Sequence, residues 1–324
     1  MGRVCREFNE RIQETIERPV ERWEERWVER RRERCRRRRF RIGRFFCRLL
    51  TELVRIVVRV VVFITVTVTR WVTRVICEVN CFILDVVAFL AFQVLSIPGI
   101  GGILRTILNW VTEILWRLIG IVDFVLSLFG LRIRKKMYVG LIIPRRNGEP
   151  IASEAALMPQ IEAAQNLFDT QCNIDLIYTG MCSPKYEPRE GVLTVNCDAS
   201  GFFADWGIAG SYFEWVSSTC RFQDGWRRLT GFGSEILVIV VDNILPDTPT
   251  TTTEGCSFAA THNYITVERS AQIMVTAHEI GHACLLRHSD DPNNLMTPLN
   301  IPPDPILTNT QIAIIRWSKH CVFI

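Results

Sequence analysis

The segment His278-Glu-Ile-Gly-His282-Ala-Cys-Leu-Leu-Arg-His288 holds three of the five histidines of this 324-residue chain. Residues four apart lie on one face of an α-helix, so the imidazoles of His278 and His282 can bind one cation together. His288 can join them only if the helix ends near Leu285 and the chain turns back. A catalytic zinc site takes three protein ligands and keeps its fourth position for water. The segment therefore predicts one zinc ion bound by the three histidines.

Glu279 follows the first of these histidines and predicts a hydrolytic reaction. Its carboxylate can accept the proton of a zinc-bound water as that water attacks a carbonyl, and can later pass the proton to the leaving amine. The alternative is a purely structural zinc, but a structural site normally fills its fourth position with a protein ligand. His262 and His320 have no motif around them, and we expect both to be ordinary core or surface histidines.

The sequence HEIGHACLLRHS, followed by LMTP, resembles the metzincin clan of zinc endopeptidases and, within it, the matrixin branch. The clan pattern is HExxHxxGxxH, followed by a turn that contains Met below the zinc. Met296, eight residues after His288, matches that Met, and Ser289 matches the residue after the third histidine of matrixins. Leu285 departs from the pattern, which has Gly at this point. The departure predicts either a strained Leu or a different turn.

The resemblance also implies where a substrate binds. In the clan, an extended peptide pairs with a sheet edge above the zinc. The matching segment here is Gly255–Ala260, with Ser257, Phe258 and Ala259 as the expected substrate-binding residues. Pro298, after the Met-turn, would line the pocket beyond the scissile bond. The implied cofactor is one catalytic Zn²⁺, and a structural Ca²⁺ stays open beside it.

The predicted fold class for residues 137–324 is an α+β metzincin-like catalytic domain. Its sheet should be mixed, mostly parallel and twisted, with a zinc helix and a C-terminal helix. The β-branched run Glu235–Asp242 predicts a strand that is buried on both faces. A capping box at Thr308 and Gln311 predicts the start of the last helix. Residues 181–234 read as irregular.

The chain before this domain is predicted to be all-α and to differ in charge. Residues 1–136 carry 27 Lys and Arg against 14 Asp and Glu, whereas residues 137–324 carry 11 against 20. Residues 1–48 predict a helix rich in Arg and Glu. Residues 49–136 predict apolar helices that either enter a membrane as transmembrane helices or lie along its surface. A soluble helical bundle is the alternative. The basic charge favours an anionic membrane surface as partner, and the absence of a recognition motif argues against nucleic acid.

Seven of the twelve cysteines lie in residues 137–324, which predicts disulfides formed in an oxidising compartment. Proximity suggests the pairs Cys172–Cys182 and Cys197–Cys220, and Cys284–Cys321 could tie the zinc helix to the C-terminus, but the sequence leaves the connectivity open. We therefore expect a membrane-associated protein whose catalytic domain lies in an extracytoplasmic compartment. A secreted or delivered effector is the alternative.

Together these features predict a zinc-dependent endopeptidase that acts on proteins or peptides and is attached or delivered to a membrane by its N-terminal region. Two alternatives stay open. One is a membrane-active toxin or effector that carries the protease as its payload. The other is a non-catalytic zinc-binding module on a metzincin scaffold, against which the intact Glu279 argues.

Overall fold

The chain is described here from a computed structural model. It covers residues 18–36, 81–197, 207–223, 225–245, 253–258, 261–298 and 300–323, with a few positions between 47 and 67. The chain forms two compact units. The first comprises residues 1–79, 131–134 and 323–324, and the second comprises residues 80–130 and 135–322.

The described part of the first unit is helical. Helix α1 (Arg18–Arg36) lies within the segment predicted to be a charged helix, and Pro19 falls in its first turn, where a missing N–H costs no hydrogen bond. Cys35 at its end forms a disulfide with Cys47.

The second unit begins with two helices, α2 (Cys81–Leu95) and α3 (Ile100–Leu128). Both belong to the same compact unit as the sheet. Charged residues interrupt the apolar sequence of α3, and three of them, Arg105, Glu113 and Asp123, are buried inside this unit. None of the helices in the described part of the chain has the length and hydropathy needed to cross a membrane, so the expected transmembrane helix is not found there.

A five-stranded sheet forms the centre of the second unit. Its spatial order is β4 (Ile174–Cys182), β1 (Lys135–Ile142), β6 (Ile236–Val241), β9 (Tyr264–Glu268) and β8 (Gly255–Cys256). The first four strands are mutually parallel, and β8 pairs antiparallel with β9 at the edge. The structure thus has the mixed, mostly parallel sheet that the sequence predicts.

Strand β6 is buried along its whole length because helices cover both faces of the sheet. One core contains helices α4 (Glu154–Leu167) and α7 (Val275–Ala283), and the other contains α5 (Ile208–Cys220). Alternate side chains of β6 point to opposite faces of the sheet. The core with α4 and α7 contains Ile236, Val238 and Val240, and the core with α5 contains Leu237, Ile239 and Val241.

The expectation that residues 181–234 are irregular is wrong in part. Besides α5, this stretch contains α6 (Gly225–Thr230) and the strand β5 (Thr194–Asn196), which pairs with β7 (Asn243–Leu245). Helix α5 contains Gly, Ser, Tyr, Phe, Trp and Val, which are not strong helix formers. Its packing against the sheet, rather than its own propensity, therefore determines its structure.

Two small elements complete the unit. A hairpin joins β2 (Arg145–Arg146) to β3 (Glu149–Pro150) through Asn-Gly, with both turn residues at positive φ. Helix α8 (Asn309–Arg316) begins at the predicted capping box, in which Thr308 Oγ accepts from the N–H of Gln311.

All three predicted disulfide pairings are wrong. The described disulfides are Cys35–Cys47, Cys182–Cys220 and Cys197–Cys256, whereas Cys172, Cys284 and Cys321 are buried thiols. The three thiols lie in the core on the α4 and α7 side, whereas Cys197, Cys220 and Cys256 lie on the α5 side. Within the α5 side, Cys197 pairs with Cys256 instead of with its nearer neighbour in sequence, Cys220. Three disulfides are typical of an oxidising environment.

Candidate metal centre and cleft

Three imidazoles converge at the end of α7. The Nε2 atom of His282 lies 3.0 Å from Nε2 of His278 and 3.0 Å from Nε2 of His288. The ligand atoms of all three lie within 4.8 Å of one another, close enough to share a single metal ion. The structure therefore brings together the three histidines that the sequence predicts as ligands.

Backbone carbonyls fix the orientation of the two helical ligands. Nδ1 of His278 donates to the carbonyl of Leu295 at 2.8 Å, and Nδ1 of His282 donates to the carbonyl of Leu286 at 2.9 Å. Because Nδ1 carries the proton, the lone pair of each ring is on Nε2, which faces the shared point. Such support by a second hydrogen bond is usual for histidines that bind metals.

The chain leaves α7 through a left-handed residue. Leu285 has a φ of 71°, in the region where the clan has Gly. A side chain with a Cβ is strained there by about 1–2 kcal/mol. The strained Leu285 is the first of the two outcomes that the sequence left open. This turn brings the imidazole of His288 next to the imidazoles of His278 and His282.

Glu279 lies beside the three imidazoles and is only 5% exposed. Its Oε2 atom is buried and has no hydrogen-bond partner among the described residues. On its other side, Gly255 of β8 approaches so closely that a Cβ at this position would lie 2.5 Å from Oε1 of Glu279. Because Oε2 of Glu279 has no such partner, it is available to a water molecule bound to a metal at the three histidines.

Met296 lies beneath the histidines and is fully buried. A Cβ on Gly281 would lie 2.5 Å from its Sδ, so the absence of a side chain at residue 281 lets Met296 approach α7. The carbonyl of Met296 accepts from the N–H of Ser289 at 2.8 Å. This bond joins the Met-turn to the residue that follows the third histidine.

Two residues that support this turn were not identified from the sequence as parts of the site. The side-chain amides of Asn294 and Gln311 form two reciprocal hydrogen bonds, each 2.9 Å long. Asn294 Oδ1 also accepts from the N–H of Met296 at 2.9 Å. Gln311 was predicted only as a capping residue of the last helix, and the capping box is the one sequence signal that points to it.

Helix α3 reaches the C-terminal end of α7. Arg117 donates from Nη2 to the carbonyl of Cys284 at 2.8 Å, and its Nε pairs with Glu113 at 2.6 Å. Cys284 is the residue at which α7 ends, so Arg117 satisfies one of the carbonyls left free at that terminus. The helix predicted to belong to a separate region therefore contacts the metal-binding segment directly.

A cleft of about 500 Å³ opens in front of the histidines. Ser257 and Pro298, two of the expected substrate-binding residues, line it. Phe258 is not in its wall, and its ring packs 5.5 Å from the ring of His262. Ala259 lies outside the described residues. The edge strand β8 forms one wall, so the cleft runs along a sheet edge.

Burial favours the neutral forms of the ligands. Together with the neighbouring imidazoles, it lowers the pKa of His278 to about 4 and that of His282 to about 3, although a backbone hydrogen bond raises each value in part. Burial also raises the pKa of Glu279 to about 8. Neutral imidazole is the form that binds metal, and a bound cation would favour the ionised form of the carboxylate.

The donor set fits zinc. Three imidazole nitrogens on one side and a cleft on the other leave room for a fourth ligand, as at catalytic zinc sites. His262 and His320 are not part of the set. Both are buried, and His320 Nδ1 donates to the carbonyl of Ser234 at 2.6 Å, as expected for core histidines.

Comparison with known proteins finds distant likeness among solved structures only. No protein-family model matches the chain, and no curated protein matches it. The crystal structure of metalloproteinase-II from Bacteroides fragilis is similar, with a TM-score of 0.40 and 14% sequence identity. The similar region covers 58% of this chain and 54% of that chain. At this distance the likeness carries no argument about the reaction, and the chemistry of the site follows from its own residues.

Proposed function

We propose that the protein is a zinc endopeptidase of the metzincin type, with a matrixin-like Met-turn. The observation that carries this proposal is the convergence of three Nε2 atoms beside the free carboxylate oxygen of Glu279, in an open cleft. A buried carboxylate without a hydrogen-bond partner is costly in a purely structural site. Its position beside a metal is what water activation requires.

In the proposed reaction, zinc bound by His278, His282 and His288 would polarise the scissile carbonyl and the attacking water. Glu279 accepts the proton of that water and transfers it to the leaving amine. Gly255 keeps the carboxylate in place, because no side chain stands between β8 and Glu279. The neutral imidazoles of His278 and His282, oriented by their Nδ1 hydrogen bonds, would hold the metal together with His288.

Strand β8 supports the choice of a peptide substrate. It stands at the edge of the sheet beside β9, and both of its residues line the cleft. Backbone N–H and C=O groups on such an edge can pair with an extended peptide as an additional strand. Ser257 and Pro298 would then contact the peptide on either side of the scissile bond, as the resemblance implies.

The disulfide Cys197–Cys256 supports an extracytoplasmic site of action. Both of its cysteines line the cleft, and Cys256 belongs to the strand proposed to bind substrate. Disulfides of this kind persist in oxidising compartments. The proposed enzyme therefore works after export or delivery, and we include attachment to a membrane in the proposal on the basis of the basic N-terminal charge.

The test combines zinc analysis with digestion of a peptide library. The wild type should hold one zinc per chain and cleave peptides, and Glu279→Gln should keep the zinc while losing about 10²–10⁴-fold in turnover. Glu162→Gln, an exposed carboxylate on α4, is the matched control and should behave like the wild type. A zinc-loaded wild type that cleaves nothing would indicate a binding module. Cleavage by Glu279→Gln at the parent rate would remove Glu279 from the mechanism.

A second measurement tests the ligands. Replacing His282 with Ala leaves two imidazoles, which cannot hold zinc against water and buffer. We expect His282→Ala to lose its zinc during dialysis while retaining secondary structure by circular dichroism. Stoichiometric zinc in the dialysed variant would contradict the assignment.

A further inference from the structure

Helix α3 has its polar side chains inside the protein and its apolar side chains outside. Arg105, Asn109 and Glu113 are each less than 5% exposed. On the opposite side, an uninterrupted series of apolar residues from Ile100 to Ile121 is at least 40% exposed at every position. We call this series the outer stripe; Ile107, Trp110, Ile114 and Leu118 belong to it. A helix in contact with water has the opposite arrangement.

Polar contacts fix this orientation. Arg105 donates to the carbonyl of Gly210 at 3.0 Å, and Asn109 donates to the carbonyl of Thr261 at 3.1 Å. Lys319 Nζ donates to Oδ1 of the same Asn109 at 2.9 Å. Rotating α3 to cover the outer stripe would break these bonds and leave buried polar groups unpaired, at about 1–3 kcal/mol each. The polar contacts of α3 therefore keep the apolar residues of the outer stripe exposed.

The shape of the outer stripe distinguishes between occupants. Its residues recur every three and four positions over about 30 Å of helix. A coiled-coil seam is narrow and flanked by charged residues that select the partner. Here the outer stripe is wider than such a seam, because Ile103, Val111 and Leu115 are apolar and exposed beside its other members. Val87 and Leu90 on α2 are at least 50% exposed as well. A broad apolar surface without charged flanks suits lipid better than a second helix.

The charge of the chain complements anionic lipid. Residues 1–136, which include both helices, carry 27 basic against 14 acidic side chains. Arg55, Arg59, Arg70 and Arg74 precede α2 in the sequence, and Arg132 and Arg134 follow α3. Basic residues that flank an apolar helix in the sequence favour binding to anionic headgroups over neutral ones.

We propose that the outer stripe of α3, extended by Val87 and Leu90 of α2, is a membrane-binding surface. It inserts parallel to the membrane plane into the interface of an anionic bilayer, while the buried polar side of α3 holds the second unit against the membrane. The proposal is independent of the proposed peptidase activity, since it concerns another surface and its test measures binding alone.

The first test measures sedimentation of the full chain with phosphatidylcholine vesicles that contain or lack phosphatidylglycerol. We expect binding to the anionic vesicles, with a part that survives high salt because it is apolar. The double variant Ile107→Asn/Ile114→Asn should reduce the salt-resistant partitioning at least about tenfold, since each Ile contributes roughly 1.5–3 kcal/mol when buried. The control Ile208→Asn/Leu245→Asn changes equally exposed residues outside α2 and α3 and should bind like the wild type.

The second test reports on one position. Brominated lipids should quench tryptophan fluorescence in the wild type, and the quenching should decrease in Trp110→Phe. Unchanged vesicle binding by the Ile107/Ile114 variant would overturn the proposal. So would a dimer in sedimentation equilibrium that the same variant dissociates, because a second copy would then cover the stripe. Protection of Trp110 from acrylamide in the vesicle-free monomer would also overturn it, because another segment of the chain would then be the occupant.

Discussion

Gly255 and Gly281 leave room for Glu279 and Met296 beside the histidines. Each stands where a methyl group would collide with a residue of the site, Glu279 in the first case and Met296 in the second. Neither has a positive φ among the described glycines, so close approach and not backbone conformation requires Gly at these positions. The two contacts come from different elements, and together they fix the carboxylate and the Met-turn on either side of α7.

Gly255→Ala tests this at the scale of one atom. The added Cβ should displace the Glu279 carboxylate and lower kcat by about 10²-fold, since misplacement by 1 Å has effects of that size. Zinc content should stay at the wild-type level, because the histidines are not touched. Gly225→Ala is the control, since a Cβ there would be 3.4 Å from Ala88 Cβ, an ordinary contact. Wild-type kcat in Gly255→Ala would show that the carboxylate does not depend on this glycine.

Among the elements, the short edge strand β8 has the greatest consequence for the cleft. It has only two residues, pairs with β9 on one side, and is joined to Cys197 through the Cys197–Cys256 disulfide. A two-residue strand has few backbone hydrogen bonds to hold it. The disulfide therefore contributes to the order of the surface on which a substrate would pair.

Removing each disulfide in turn separates this role from general stability. Cys197→Ser/Cys256→Ser and Cys182→Ser/Cys220→Ser should each lower the free energy of unfolding by about 2–4 kcal/mol. Only the first pair lies in the cleft, so only that variant should raise KM for peptides. Equal KM values in the two variants would show that the cleft disulfide does not order β8 for binding.

The elements also show what could be predicted from sequence. The zinc helix and β6 follow from local spacing and composition, and both are found where predicted within a few residues. The orientation of α3 does not follow, because its charged residues read as interruptions of an apolar run. Their partners lie far along the chain: Arg316 is 193 residues from Asp123, and Lys319 is 210 residues from Asn109. The hydrogen bonds between Asn294 and Gln311 could not be predicted either, because the two residues are 17 positions apart in the sequence.

At the scale of the molecule, a buried ionic network ties α3 to the first strand and the last helix of the second unit. Asp123 accepts from Arg316 of α8 at 3.0 Å and pairs with Lys135 of β1 at 3.0 Å. Arg316 also donates to Ser127 Oγ at 2.9 Å. Asp123, Lys135 and Arg316 are all buried, so removing one charge leaves the others without compensation.

Asp123→Asn should therefore lower the free energy of unfolding by about 3–5 kcal/mol in urea at neutral pH. The exposed Asp304→Asn is the control and should change it little. Burial by itself would raise the pKa of Asp123, but the ion pairs with Lys135 and Arg316 outweigh it and lower the pKa below 3.8. The stabilisation is thus complete above pH 3.8 and is lost as the pH falls through the folded-state value. The difference between wild type and variant should shrink over that range, and a constant difference would contradict the ion-pair account.

The contacts of α3 have a consequence for how the chain can be divided. A backbone cut after Gly130 would separate the protein into two polypeptides that still share the Asp123–Arg316 pair and the Arg117–Cys284 hydrogen bond. Such fragments should remain associated without a covalent link, and co-expressed halves should reconstitute the metal centre. Nicking at this position would therefore release nothing, and a piece that begins at residue 137 would need its missing helix supplied in trans.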